Sequence, residues 1–84
     1  MGDIIMASNN LVAHVLRFQL SLSSEKYLRY YQGQASSIQV RSLDNKSIRF
    51  PAGAIRQFLM HDGIHGVFEI RFDKNNKLIE VVKI

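Results

Sequence analysis

The sequence contains no cysteine and only one proline, Pro51. Without cysteine no disulfide can staple the fold, and no thiolate can bind zinc or act as a nucleophile. Small secreted domains usually depend on such staples, so a cytoplasmic setting is expected. No run approaches the roughly 18 apolar residues of a membrane helix, so no membrane association is expected. Residues 1–10 hold neither a basic segment nor a sustained apolar core, so no secretion signal is read there. Met6 stands where a myristoylation signal after Gly2 wants Ser or Thr. Acids are few, seven against eleven Lys and Arg, which leaves a net charge of +4. Such a balance attracts anions, yet it is also ordinary for keeping a small protein in solution.

What is present fits one small domain. Hydrophobic residues make up 46% and charged residues 21% of 84, too apolar a mixture for a disordered chain. Residues 50–72 organise the rest, with the sole proline, three of five glycines, two of three histidines and four of five phenylalanines. Residues 1–10 read as a flexible leader, and 11–84 as a single small α+β domain.

Residues 12–22 alternate. Val12, Leu16, Phe18, Leu20 and Leu22 fall on one face, interrupted by His14; Arg17, Gln19 and Ser21 fall on the other, the period-two pattern of a half-buried strand. Ser23-Ser24 is an N-cap signal with Glu25 in the first turn. Tyr27, Leu28 and Tyr31 then give a helical stripe, and Gly33 is read as a left-handed stop. Residues 37–43 and 47–50 form a hairpin about Asp44-Asn45-Lys46, ended by Pro51. Ile55, Phe58 and Leu59 recur at helical spacing, with Gly63 as the expected cap. Residues 67–72 alternate again, with Phe68, Ile70 and Phe72 inward. Residues 78–84 are apolar on both faces, as a central or covered strand would be. The order β-α-β-β-α-β-β predicts an α+β fold. Its expected core is a twisted five-stranded antiparallel sheet, open or curled towards a small barrel.

Tyr30-Tyr31-Gln32-Gly33, Phe50-Pro51-Ala52, His61-Asp62-Gly63-Ile64-His65-Gly66, Phe72-Asp73 and Lys77-Leu78 occur in one order. In this the chain resembles domain-of-unknown-function family 2835, short bacterial proteins best represented in the gammaproteobacteria. Gln57 departs from that pattern, where a proline often follows the arginine; so does Asn45-Lys46, where Asp-Gly or Gly-Arg turns are common. The resemblance implies a bacterial cytoplasmic domain and carries no activity with it.

Chemistry is sparse. His61 and His65 are four apart, a metal-like spacing on a helix, but Gly63 and Gly66 argue for a turn and a third ligand is missing. No metal, cofactor or catalytic residue is assigned. No nucleophile–base pair or phosphate loop is visible, and a chain this short is not expected to enclose a ligand pocket of roughly 300–1,000 Å³. A non-enzymatic domain is expected. Tyr30 leaves the helical stripe and, with Arg29 beside it, is the leading candidate for contact with a protein partner. The alternative is nucleic-acid binding by Arg17, Arg41, Arg49 and Arg71, if the outward strand positions line one surface. No aromatic residue stands between these arginines, and Glu69 is placed to pair with one of them. The sequence carries no signal for oligomeric state.

Overall fold

The computed structural model describes residues 11–33 and 36–84. The leader read over residues 1–10 lies outside them. Five strands and two helices follow in the expected order. They are β1 (His14–Ser23), α1 (Ser24–Gln32), β2 (Ser37–Arg41), β3 (Ser47–Pro51), a 3₁₀ helix (Ala52–Phe58), β4 (Gly63–Phe72) and β5 (Leu78–Lys83). The fold is α+β and all strand pairs are antiparallel.

The strands make two sheets rather than one, and they do not close into a barrel. One sheet runs β1-β4-β5; the other is the β2-β3 hairpin. The hairpin adds its inner face to the core instead of extending an edge. Phe50 packs on Phe18 with ring centroids 5.4 Å apart, and Phe18 stacks on Phe68 at 5.6 Å. Tyr27, Ile38, Ile48, Ala52, Ile55, Ile64, Ile70 and Val81 complete this buried cluster. A single backbone bond, Leu43 N–H to Arg17 C=O at 2.7 Å, clasps the hairpin loop to β1.

The pleat explains which residues are inside. The register Leu16↔Ile70, Phe18↔Phe68 and Leu20↔Gly66 keeps the apolar sets on one side because paired residues share a face. β4 is the central strand, with a partner on each side. β5, read as central from its two apolar faces, is an edge strand. The 3₁₀ helix lies against it, and the Gln57 side-chain amide donates to Val81 C=O at 3.4 Å. That cover explains how an edge strand can be so apolar.

Helix α1 begins as expected. Ser23 is the N-cap and its hydroxyl accepts the Lys26 N–H at 3.2 Å. Its buried stripe is narrow: Tyr27 is fully buried, whereas Leu28 and Tyr31 remain exposed. The Tyr27 hydroxyl donates to the carbonyl of Ala52 at 2.8 Å, so one side chain joins both helices. Gly33 is not left-handed; at φ −73°, ψ 161° the chain simply runs out extended. The second helix is 3₁₀ rather than α, closed by a three-residue bond from Leu59 N–H to Arg56 C=O at 3.0 Å. Gly63 does not cap it. Met60 and Gly63 exchange backbone bonds of 2.8 and 3.1 Å around His61-Asp62, a two-residue turn that leads directly into β4.

The β2–β3 and β4–β5 loops share one build. Ser42 and Asp73 each donate their N–H to a carbonyl four residues on, Lys46 and Lys77, at 2.8 and 2.9 Å. Their side chains accept the N–H of the same lysines. Asn45 (φ 68°) and Asn76 (φ 64°) take the left-handed position in each, which asparagine tolerates best after glycine.

Candidate functional site

The outer face of the three-stranded sheet carries a charge ladder. Glu69 is nearly buried at its centre. One carboxylate oxygen accepts Arg17 Nε at 3.1 Å and the other accepts Arg71 Nε at 2.8 Å. Arg71 also reaches Glu80 at 2.8 Å. Hydrogen bonds from Arg71 first, then Arg17, hold the Glu69 carboxyl below the usual glutamate range. Glu69 and Glu80 in turn raise the Arg71 guanidinium further. Two arginines and two glutamates thus cancel.

The four arginines read as one surface are therefore not brought together. Arg17 and Arg71 sit on the outer face of one sheet, neutralised. Arg41 and Arg49 project from the hairpin, where Arg41 donates to Asn45 C=O and Arg49 to the Gln39 side-chain oxygen. Among the described residues neither pairs with a carboxylate. Lys83 shares Val81's side of β5, and its stem passes close to Gly66.

On α1, Tyr30 is 45% exposed. Lys26, Arg29 and Tyr30 line a shallow depression, and Arg29 is held by Glu25 one turn back at 2.7 Å. The helix is braced beneath. Tyr27 stacks on Tyr31 at 5.8 Å, and the Arg56 guanidinium lies over the Tyr31 ring at 4.9 Å. Burial pushes the Tyr27 phenol above its ordinary value.

His61 is exposed on its turn, and His65 lies on β4 opposite Ser21. Ser21 Oγ is 2.9 Å from His65 Nδ1, and His65 Nε2 is 3.3 Å from Asp62 C=O. A carbonyl only accepts, so Nε2 is the donor there, and in a neutral ring Nδ1 is then the acceptor of the serine hydroxyl. Strand register alone creates this serine–histidine pair, 44 residues apart in the chain, so no local motif could disclose it. It lies exposed on the open sheet face. Among the described residues no group of three or more His, Asp or Glu side chains is placed to hold a metal.

Sequence reading also missed a cleft. It opens between the start of β1 and the hairpin, with a volume of about 510 Å³, and is lined by His14, Leu16, Lys46, Ile48, Arg49 and Phe72 among others. It needs no enclosure by a large chain, because its lining is shared between β1, the hairpin and the β4–β5 loop.

Together the fold and these surfaces define a small two-sheet α+β domain with a cationic, aromatic helix face. The family model described as "Protein of unknown function (DUF2835)" matches residues 14–84, and the chain belongs to that family. No curated protein and no solved structure matches it. Among the described residues no helix is long and apolar enough to cross a membrane.

Proposed function

We propose that this is a non-enzymatic bacterial accessory domain of the cytoplasm that docks a protein partner through α1. The exposed Tyr30 beside Arg29 and Lys26, on a helix braced by Tyr27 and Arg56, is the observation that carries the reading. Tyrosine and arginine dominate interface energetics. A helix that is already held in place loses little further backbone entropy when a partner arrives. A photoactivatable benzophenone side chain in place of Tyr30, expressed in the source cell, should give one discrete adduct on irradiation. The same group in place of Gln19, on the sheet face, should give none. With the partner purified, Tyr30→Ala should weaken binding by about fivefold or more. Equal labelling from both positions, or unchanged affinity, would remove the proposal.

A second reading, binding of nucleic acid, is favoured only at the hairpin, where Arg41 and Arg49 meet neutral acceptors. Two such contacts give a log affinity against log salt slope of about −2, against about −4 for all four arginines.

A further inference from the structure

We propose that the cleft between β1 and the hairpin is a binding site for a small anion with an apolar body, such as an aryl phosphate or aryl carboxylate. Its floor is Leu16, Ile48 and Phe72, all buried or half-buried. Lys46, Arg49, His14, Ser47 and Asn76 line its rim. The net cation of the rim is Arg49, because Lys46 is offset by the one acid there, Asp44. Asp44 accepts the buried Ser42 hydroxyl and lies 3.8 Å from Lys46 Nζ. The Ser42 bond foremost holds its carboxyl below the ordinary range. Arg49 meets no carboxylate among the described residues and bonds only a neutral amide at 3.3 Å. Its guanidinium therefore keeps its charge available, in contrast to Arg17 and Arg71.

Size and placement agree with the ligand class. The volume of about 510 Å³ lies in the usual range for small-molecule sites, roughly 300–1,000 Å³. Apolar floors supply affinity, and a few polar groups at the rim supply orientation. An arginine fork suits the two oxygens of a carboxylate or phosphate. The two twin loops flank the opening, since Asp44 and Lys46 come from one and Asn76 from the other. Each is tied back on itself by its own hydrogen bonds, so the rim is fixed before a ligand arrives. This site is separate from the Tyr30 corner and does not depend on it.

The test is an amide-resolved titration of the labelled protein with phenyl phosphate, benzoate and inorganic phosphate. Phenyl phosphate and benzoate should give saturable shifts at Leu16, Lys46, Ile48, Arg49 and Phe72. Inorganic phosphate should bind at least about tenfold more weakly, because it leaves the apolar floor unused. The double variant Lys46→Gln, Arg49→Gln changes two exposed side chains, and its spectrum reports that it is folded. It should lose about tenfold or more in affinity for phenyl phosphate. Equal affinity for inorganic phosphate, shifts that fail to saturate, or unchanged affinity in the double variant would overturn the assignment.

Discussion

Replacing Gly63 with alanine is expected to be the most damaging single-methyl change in this domain. The residue sits at φ +128°, and an added Cβ would lie 2.9 Å from Ser23 Cα and nearer still to the Leu22 carbonyl oxygen. Both obstacles are backbone of β1, the strand that Gly63 pairs with, so no side chain can swing away. The backbone strain costs about 1–3 kcal/mol, and forcing the strands apart about 1–3 more. Total stability for a domain of this length is only about 4–13 kcal/mol. At about 5 °C per kcal/mol, a loss near 4 kcal/mol lowers the thermal midpoint by about 20 °C. Two other glycines are controls. Gly66 has φ +142°, but its Cβ would meet the end of the Lys83 stem at 2.9 Å. Only the strain term then applies, about 1–3 kcal/mol. Gly53 would meet only Tyr31 Cε1 at an ordinary 3.8 Å, and alanine there is expected to be neutral or stabilising by about 0.4–1 kcal/mol. Thermal unfolding followed by circular dichroism should rank the alanine variants Gly53, Gly66, Gly63 in falling stability. A Gly63→Ala protein as stable as Gly53→Ala would refute the close approach of β4 to β1.

Tyr27→Phe removes the side-chain bond from α1 to the Ala52 carbonyl and should cost about 1–3 kcal/mol, seen as a midpoint about 5–15 °C lower. A wild-type midpoint would show that the Ala52 carbonyl finds another donor. Acidification should destabilise the domain. Glu69, Asp44 and Asp73 all have carboxyls held below their ordinary values, by Arg71 and Arg17, by Ser42, and by the Lys77 N–H respectively. The folded state binds protons less readily than the unfolded one, so the stabilisation is present above the ordinary carboxylate range. It is lost as pH falls through the lowered values. Glu69→Gln should flatten that acid limb in a series of denaturant midpoints; an unchanged limb would mean that the ladder does not report on folding.

The strands were legible because burial writes period two directly into the sequence. Phe18, Phe50, Phe68 and Ile70 are buried as their alternation requires. The Ser23 cap and the exposure of Tyr30 were likewise local signals. What was not legible depends on partners. Whether the hairpin extends a sheet or packs across one is decided by Phe50 meeting Phe18, and no spacing encodes that. The two apolar faces of β5 do not mark a central place in the sheet: Val81 enters the core, Val82 lies opposite Glu69 on the outer face, and Ile79 is exposed. The same limit applied to the surface. Each outward arginine was correctly placed outward, but alternation cannot say that Glu69 sits between Arg17 and Arg71, or that Arg41 and Arg49 belong to another sheet. The cleft was invisible because its floor and rim come from both sheets and from two loops.

The longest ladder joins β1 to β4, whose partners Arg17 and Glu69 are 52 residues apart. This sets a timetable for synthesis. At about 5–20 residues per second, roughly 3–10 s pass between the making of these two residues. The β2–β3 hairpin can close in microseconds once it is free. Throughout that interval the apolar face of β1, with Leu16, Phe18, Leu20 and Leu22, lacks its β4 partner and has only the helix and hairpin made before it to meet. A ribosome that stalls before Phe72 holds a chain that cannot hide its own first strand. For this protein the hazardous moment is the time before β4 emerges, when chaperones and proteases compete for an apolar strand face that β4 and the core later cover.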